Sequence, residues 1–78
     1  MDNMAEDAIN TTVARILRRH WEARGLSYEE LAKRSGLSRP TVERIINGKR
    51  PITIEYLYRL APHLRYSPAA VLDEANTS

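Results

Sequence analysis

Cysteine and phenylalanine are both absent from this 78-residue chain, and it has only three glycines and four prolines. Without cysteine the chain can form no disulfide framework, no thiolate zinc site and no cysteine nucleophile. No apolar run approaches the roughly 18 residues that a membrane span needs. The N-terminus also lacks the basic-then-apolar order of a signal peptide. These absences predict a cytoplasmic protein that does not enter a membrane.

The length leaves room for one small domain and excludes a Rossmann domain, a TIM barrel or a two-domain enzyme. The two histidines, His20 and His63, are far apart in sequence and have no partner at metal-ligand spacing. No combination of nucleophile, base and orienting group stands out. We therefore expect no catalytic residue, no metal, no cofactor and no small-molecule ligand.

The positive charge is concentrated in one window of the chain. The net charge is only +2, but residues 1–10 carry three acids and no cation, whereas residues 33–50 hold six cations against Glu43 alone. Most of the cationic residues are arginine, which suits bidentate contacts with phosphate and guanine. This basic window indicates a polyanionic partner, although a solvated helix face is the other interpretation that charge alone allows.

Apolar residues recur at helical spacing along the chain, and no alternating run of the strand type is present. The Asn47-Gly48 pair follows a helical pattern and is expected to end a helix rather than to form a hairpin. The pattern predicts an all-α fold, a compact bundle of about five short helices. Hydroxyl side chains that can cap a helix precede helices two to five. These predicted caps are Ser27, Ser38, Thr53 and Ser67.

The ends of the domain and of the fourth helix can also be predicted. We assign residues 1–10 to an acidic N-terminal arm or the start of helix one, 11–75 to the folded domain and 76–78 to a frayed tail. Pro62 lacks a backbone donor and is expected to end helix four near Ala61. The apolar stripe expected on that helix comprises Ile54, Leu57, Tyr58, Ala61 and Leu64, and the stripe of helix one includes Ile9.

The segment from Tyr28 to Asn47 has the spacing of a helix-turn-helix. Ala32 supplies a small residue where the second helix crosses the first, and Gly36 supplies a turn residue free of Cβ strain. Val42 follows at the distance that lets the two short helices share an apolar seam. Each helix is too short to be stable alone, so the pair must pack against the rest of the chain.

Residues 17–72 resemble the lambda-repressor/Cro-type family of helix-turn-helix domains, also called the XRE family. The resemblance rests on the stretches GLSYEELA, SGLS and ERIINGKR and on the two capped helices that follow them. It implies a bundle of about five helices that binds operator DNA, typically as a two-fold dimer, and that regulates transcription.

One pair of positions departs from the family pattern. Trp21 and Ile46 stand where many relatives carry an Arg and a Glu that form a partly buried ion pair. An apolar pair of similar volume can replace a buried ion pair without loss of stability. We therefore expect Trp21 to pack against Ile46.

The resemblance makes residues 38–47 the recognition helix, whose N-terminal part enters the major groove. Arg39 and Arg44 are long enough to contact guanine O6 and N7. Glu43 can accept a hydrogen bond from cytosine N4 or hold one of these arginines in place, and Pro40 can touch a thymine methyl. The predicted base contacts are thus Arg39, Pro40, Glu43 and Arg44.

A second set is expected to contact phosphates, which fix register and affinity but carry little sequence information. These residues begin helix two, begin the recognition helix or follow it. They are Ser27, Tyr28, Ser38, Thr41, Asn47, Lys49 and Arg50. For the two serines, helix capping alone is the stronger interpretation.

Together these features predict a sequence-specific regulator of transcription that binds double-stranded DNA. We expect a repressor of bacterial or phage type, located with the nucleoid of a bacterial cell or phage-infected host. A homodimer on DNA is possible, with helix five and the loop after helix four as its surface. Candidate contributors to that surface are Tyr56, Tyr58, Tyr66 and Leu72.

Three other interpretations stay open at this stage. The same fold can serve as an antitoxin-like partner or a protein-interaction module. The chain can also be the DNA-binding part of a longer repressor. Finally, helix one has a basic amphipathic character that resembles a membrane-surface helix. The residues behind this last interpretation are Arg15, Arg18, Arg19 and Trp21.

Overall fold

The computed structural model describes the backbone of residues 4–77 and the side chains of residues 8–77. Over this range the chain folds into five α-helices and one short 3₁₀ turn, with no strand. The α-helices are α1 (Met4–Arg24), α2 (Tyr28–Ser35), α3 (Arg39–Ile46), α4 (Ile54–Leu60) and α5 (Pro68–Thr77), and the 3₁₀ turn is Ala61–Leu64. The predicted all-α bundle of five helices is therefore confirmed.

The limits of α1 and α5 bear on the two terminal segments. Residues 4–10 belong to α1, while residues 1–3 of the expected acidic arm lie outside the described residues. Helix α5 continues to Thr77, so it takes in two residues that the sequence assigned to a tail, and Ser78 lies outside the described residues.

All four predicted N-caps form, each with a hydroxyl oxygen that accepts a hydrogen bond from a backbone N–H three residues later. Ser27 accepts from Glu30 at 3.0 Å and Ser38 from Thr41 at 3.3 Å, and Thr53 and Ser67 act in the same way. Each bond satisfies one donor that the helix leaves unpaired. The spacing of Ser27 and Glu30 also suits a capping box, in which the carboxylate would turn back to the cap, but the Glu30 carboxylate instead lies 3.6 Å from Nη2 of Arg34 one turn later.

Pro62 ends α4 as predicted, because the α-helix stops at Leu60 and a 3₁₀ turn follows. The buried face of α4 differs from the expected stripe. The residues that face the core are Leu57, Leu60, Ala61 and Leu64, whereas Ile54 is 62% exposed and Tyr58 is 61% exposed. Ile54 begins the helix at its open end, and Tyr58 is turned about 100° away from Leu57 around the helix.

One hydrophobic core joins all five helices. Leu31, Val42 and Ile45, the predicted seam of the helix-turn-helix, are essentially inaccessible to solvent, whereas Ile9 near the start of α1 is 54% exposed. The core comprises Val13, Ile16, Leu17, Leu26, Leu31, Ala32, Val42, Ile45, Ile46, Leu57, Leu60, Ala61, Leu64 and Val71. Through this core, α3 is fixed against the bundle and its opposite face is left open.

The half-buried Trp21 packs at the edge of this core. Its ring stacks on the ring of Tyr28 with centroids 4.6 Å apart and planes 3° from parallel. Both rings lie against the core cluster to which the buried Ile46 belongs. Tyr28 is thus the ring partner of Trp21, and direct contact between Trp21 and Ile46 stays a prediction.

The tight turn between α2 and α3 depends on Gly36. Its φ of 77° and ψ of 17° lie in the left-handed region, and its N–H donates to the Ala32 carbonyl at 2.9 Å. A Cβ on Gly36 would lie 3.3 Å from Nη1 of Arg59, which itself donates to the Ser35 carbonyl. Glycine at position 36 thus satisfies both the positive φ of the turn and the limited space beside Arg59.

We predict that Gly36→Ala lowers the free energy of unfolding by about 1–2 kcal/mol, because an L-residue is strained in this conformation. Chemical denaturation measures the effect. Gly25→Ala is the matched control, since Gly25 has a φ of 74° but nothing within 4 Å of an added Cβ. We expect Gly36→Ala to cost at least as much as Gly25→Ala. A Gly36→Ala variant as stable as the parent would contradict this assignment of the turn.

A cluster of hydrogen bonds and stacked rings joins α5 to α1. Glu74 accepts from Arg19 at 2.6 Å and from the Tyr66 hydroxyl at 2.8 Å. The ring of His20 stacks on Tyr66 with centroids 4.0 Å apart. The hydrogen bonds from Arg19 and Tyr66 lower the pKa of Glu74, and the bond to Glu74 raises the pKa of Tyr66. The cluster therefore favours the ionised Glu74 carboxylate.

This lowered pKa predicts a loss of stability in acid. Because the pKa of Glu74 is lower in the folded chain, its contribution is complete above the ordinary glutamate pKa and disappears as the pH falls through the lowered value. We expect Glu74→Gln to flatten the dependence of unfolding free energy on pH in that acidic window. Denaturation at a series of pH values tests this, with Asp73→Asn as the control. Equal pH dependence in Glu74→Gln and the parent would exclude the cluster as its source.

Candidate nucleic-acid interface

The exposed face of α3 presents the four side chains that were predicted to contact bases. Arg39, Pro40, Glu43 and Arg44 are all exposed, because Val42, Ile45 and Ile46 occupy the opposite, buried face. The four line an open cleft of about 490 Å³ together with Asn47 and Lys49. This surface, lined by these six residues, is called the α3 cleft below.

The charged side chains of the α3 cleft form no ion pair with any of the side chains that the structure describes. Several arginines elsewhere form ion pairs: Arg18 with Glu22, Arg19 with Glu74, Arg34 with Glu30 and Arg59 with Glu55. None of the side-chain hydrogen bonds or ion pairs over residues 8–77 includes the guanidinium of Arg39 or Arg44 or the ammonium of Lys49. These three cations are therefore free to meet an external anion.

The carboxylate of Glu43 is also open to the cleft. We considered that Glu43 holds Arg39 or Arg44 in place, but no ion pair within 4.0 Å joins them among the described side chains. The cleft thus presents separate positive groups and one separate negative group. The cleft can therefore donate hydrogen bonds to acceptors on a ligand and accept a hydrogen bond from a donor on the same ligand.

Asn47 is the centre of a hydrogen-bond network that joins three helices. Its Oδ1 accepts from Nη1 of Arg18 on α1, and its Nδ2 donates to Oη of Tyr28 at 3.1 Å and to the backbone carbonyl of Glu43 at 2.8 Å. Sequence reasoning placed Asn47 at the end of the recognition helix as a phosphate contact and missed this network. The amide fixes the C-terminal end of α3 against α1 and α2.

The network also orients the Tyr28 hydroxyl. Its oxygen accepts the bond from Asn47, so its proton remains available to a further acceptor. The ring of Tyr28 stacks on the ring of Trp21, and this packing fixes the position of the hydroxyl. Tyr28 can therefore offer a donor at the start of α2, beside the C-terminal end of α3.

The hydroxyls at the two predicted serine positions are engaged as caps. The Ser38 hydroxyl donates to Oγ1 of Thr41 at 2.8 Å in addition to accepting from the Thr41 N–H. The hydroxyl proton of Ser38 is therefore already donated, whereas the hydroxyl proton of Thr41 remains available to another acceptor. The hydroxyl oxygen of Ser27 caps α2, and its hydroxyl proton has no acceptor among the described residues.

The loop after α3 carries two exposed cations, Lys49 of the α3 cleft and Arg50. Arg50 donates to the Tyr56 hydroxyl at 3.0 Å and lies over the Tyr56 ring at 5.3 Å from its centroid. These contacts position the Arg50 guanidinium while the residue as a whole stays exposed.

Within the described residues, no three His, Cys, Asp or Glu side chains come together as a metal site would require. No helix there is both long enough and apolar enough to cross a membrane.

Known proteins resemble this chain both in sequence and in structure. A family model described as helix-turn-helix matches residues 15–71. The crystal structure of the clp gene regulator ClgR from Corynebacterium glutamicum matches with a TM-score of 0.77 and 26% sequence identity, over 88% of this chain and 73% of that one. No curated protein matches. Residues 15–71, which the family model matches, include all six residues that line the α3 cleft.

Proposed function

Because this chain belongs to the XRE-type helix-turn-helix family, whose model covers residues 15–71, we propose that it is a regulator of transcription that binds double-stranded DNA in a sequence-specific way. The observation that carries the proposal is the α3 cleft, in which Arg39, Arg44 and Lys49 have no partner within the described chain. The similarity to ClgR, a gene regulator, supports the same function. The family and this neighbour also agree with the expectation that the chain is not an enzyme.

In the proposed mechanism, α3 enters the major groove with its N-terminal half toward the bases. Cations of the cleft and the following loop displace counterions from phosphates, which supplies affinity for any duplex. Arg39 and Arg44 donate to guanine, Glu43 accepts from cytosine N4 and Pro40 makes apolar contact with a thymine methyl. The base edges then supply the specificity.

Phosphate contacts position α3 in the groove. The Tyr28 and Thr41 hydroxyls each retain a proton to donate, and Lys49 and Arg50 meet the strand that flanks the groove. Ser27 and Ser38 stay in the proposed phosphate set, although their oxygens act as helix caps. Asn47 can join the set only if it exchanges one of its three present partners.

The regulator is proposed to act as a repressor that occupies an operator and blocks transcription, in a bacterial cytoplasm or a phage-infected host. Binding as a homodimer would place the two half-sites about 34–36 Å apart, one turn of the duplex. The candidate residues of the dimer surface are the exposed Tyr58 and three partly buried residues that pack against the core, Tyr56, Tyr66 and Leu72. A palindromic binding site would support this arrangement.

The salt dependence of binding tests whether the cleft meets phosphate. We expect Lys49→Ala to weaken binding to every duplex alike and to reduce the slope of log affinity against log salt by about one unit, since one released counterion is lost. A fluorescence anisotropy titration at several salt concentrations gives the slope. Lys33→Ala is the control, because Lys33 is exposed on α2 outside the cleft. An unchanged slope for Lys49→Ala would remove Lys49 from the interface.

A further inference from the structure

The exposed face of α3 offers no side-chain amide that is free to read adenine. Adenine is read in the major groove by the side-chain amide of Asn or Gln, which bonds N6 and N7 together. The α3 cleft contains one amide, that of Asn47, among its six lining residues. That amide is already held by Arg18, Tyr28 and the Glu43 carbonyl. The cleft therefore has no amide free for adenine.

The groups that remain free match guanine and cytosine. Each guanidinium, at Arg39 and at Arg44, is a planar donor that suits the O6 and N7 acceptors of guanine. The Glu43 carboxylate only accepts, so it requires a base with an exposed donor. Cytosine N4 provides that donor with only a C–H group on one side, whereas the N6 donor of adenine lies between two acceptors, its own N7 and O4 of the paired thymine, which repel a carboxylate.

The separation of these groups along α3 sets the size of the motif. Residues 39, 43 and 44 span about 7.5 Å of helix axis at a rise of 1.5 Å per residue. Successive base pairs are about 3.4 Å apart along the duplex. The three side chains therefore reach about three neighbouring base pairs.

We infer that the half-site read by this chain has a core of about three consecutive G·C pairs, in which Arg39 and Arg44 contact guanines and Glu43 contacts a cytosine. The inference rests on the proposed function, DNA binding through the α3 cleft. Contact between Pro40 and a thymine methyl would lie at the edge of this core. Asn47 acts as a positioning residue that fixes α3, and it does not read a base.

Selection of binding sites from a random double-stranded DNA library tests the inference with the parent chain. We expect the enriched half-site to contain the G·C core. A core of A·T pairs would overturn the base assignment alone. If the folded chain retained no duplex at low salt, the proposed function would fail and the base assignment with it.

The variant Glu43→Gln makes the test residue-specific. It replaces an acceptor with an amide that can bond adenine N6 and N7, so the cytosine position should change to adenine. We expect a preference of about 5–150-fold for adenine over cytosine at that one position. Asp73→Asn removes the same charge from α5 and should leave the selected sequence unchanged. A Glu43→Gln site identical to the parent site would exclude Glu43 from base contact.

Discussion

Replacing both Arg39 and Arg44 by alanine is expected to weaken binding to the selected operator by about 2–6 kcal/mol, from about 1–3 kcal/mol for each guanine contact. The loss should fall on the specific site, because each arginine donates to a particular base. Competition between the selected operator and a scrambled duplex measures it. Each single variant should relax the preference at one base pair.

The control for this pair is Lys33→Ala combined with Arg65→Ala. Both residues are exposed, Lys33 on α2 and Arg65 after the 3₁₀ turn, and neither lines the α3 cleft. The control removes the same charge, so it should weaken specific and scrambled duplexes equally. If Arg39→Ala/Arg44→Ala also weakened both duplexes equally, these arginines would be phosphate contacts and the account of base reading would fail.

Leu31→Ala is expected to remove a large fraction of the stability of the domain. Leu31 is 0% exposed in the seam between α2, α3 and the rest of the core. Truncating such a leucine costs about 2–5 kcal/mol. A chain of this length has a total stability of only about 4–12 kcal/mol, at 0.05–0.15 kcal/mol per residue. Thermal unfolding followed by circular dichroism measures the loss.

Ile54→Ala is the matched control for Leu31→Ala, since it removes a similar volume from a side chain that stays in solvent. It should change the free energy of unfolding by less than about 0.5 kcal/mol. Similar losses in the two variants would mean that the seam of the helix-turn-helix is not the centre of the core. DNA affinity should fall with stability in Leu31→Ala and stay unchanged in Ile54→Ala.

The elements could be predicted because their determinants are local. Ser38 caps the residue three positions later and Pro62 ends a helix wherever it lies in one, so neither requires knowledge of the tertiary fold. The outward face of α3 also followed from spacing, once Val42 and Ile45 were assigned to the core. These predictions are confirmed by the helix limits and by burial.

Contacts between distant segments could not be predicted from the sequence. The stack of Trp21 on Tyr28 and the fastening of Glu74 by Arg19 depend on how helices are placed in space. Asn47 looked like a helix-end residue because Asn-Gly is common at turns, and its bonds to α1 and α2 have no local signature.

The exposure of Tyr58 shows a different limit. Its spacing from Leu57 fits one edge of an apolar stripe, but α4 is only seven residues long and buries a narrower face than the pattern allows. Aromatic residues at such an edge have the same spacing whether they cover the core or meet a partner. A sequence pattern alone therefore does not decide between core and interface at this position.

Binding to an operator in which guanine is replaced by 7-deazaguanine tests whether α3 reads base edges in the major groove. The change removes the N7 acceptor from the major groove and leaves base pairing intact. Our account predicts a loss of affinity for the parent chain and no further loss for Arg39→Ala/Arg44→Ala. Equal affinity of the parent for the normal and substituted operators would contradict it.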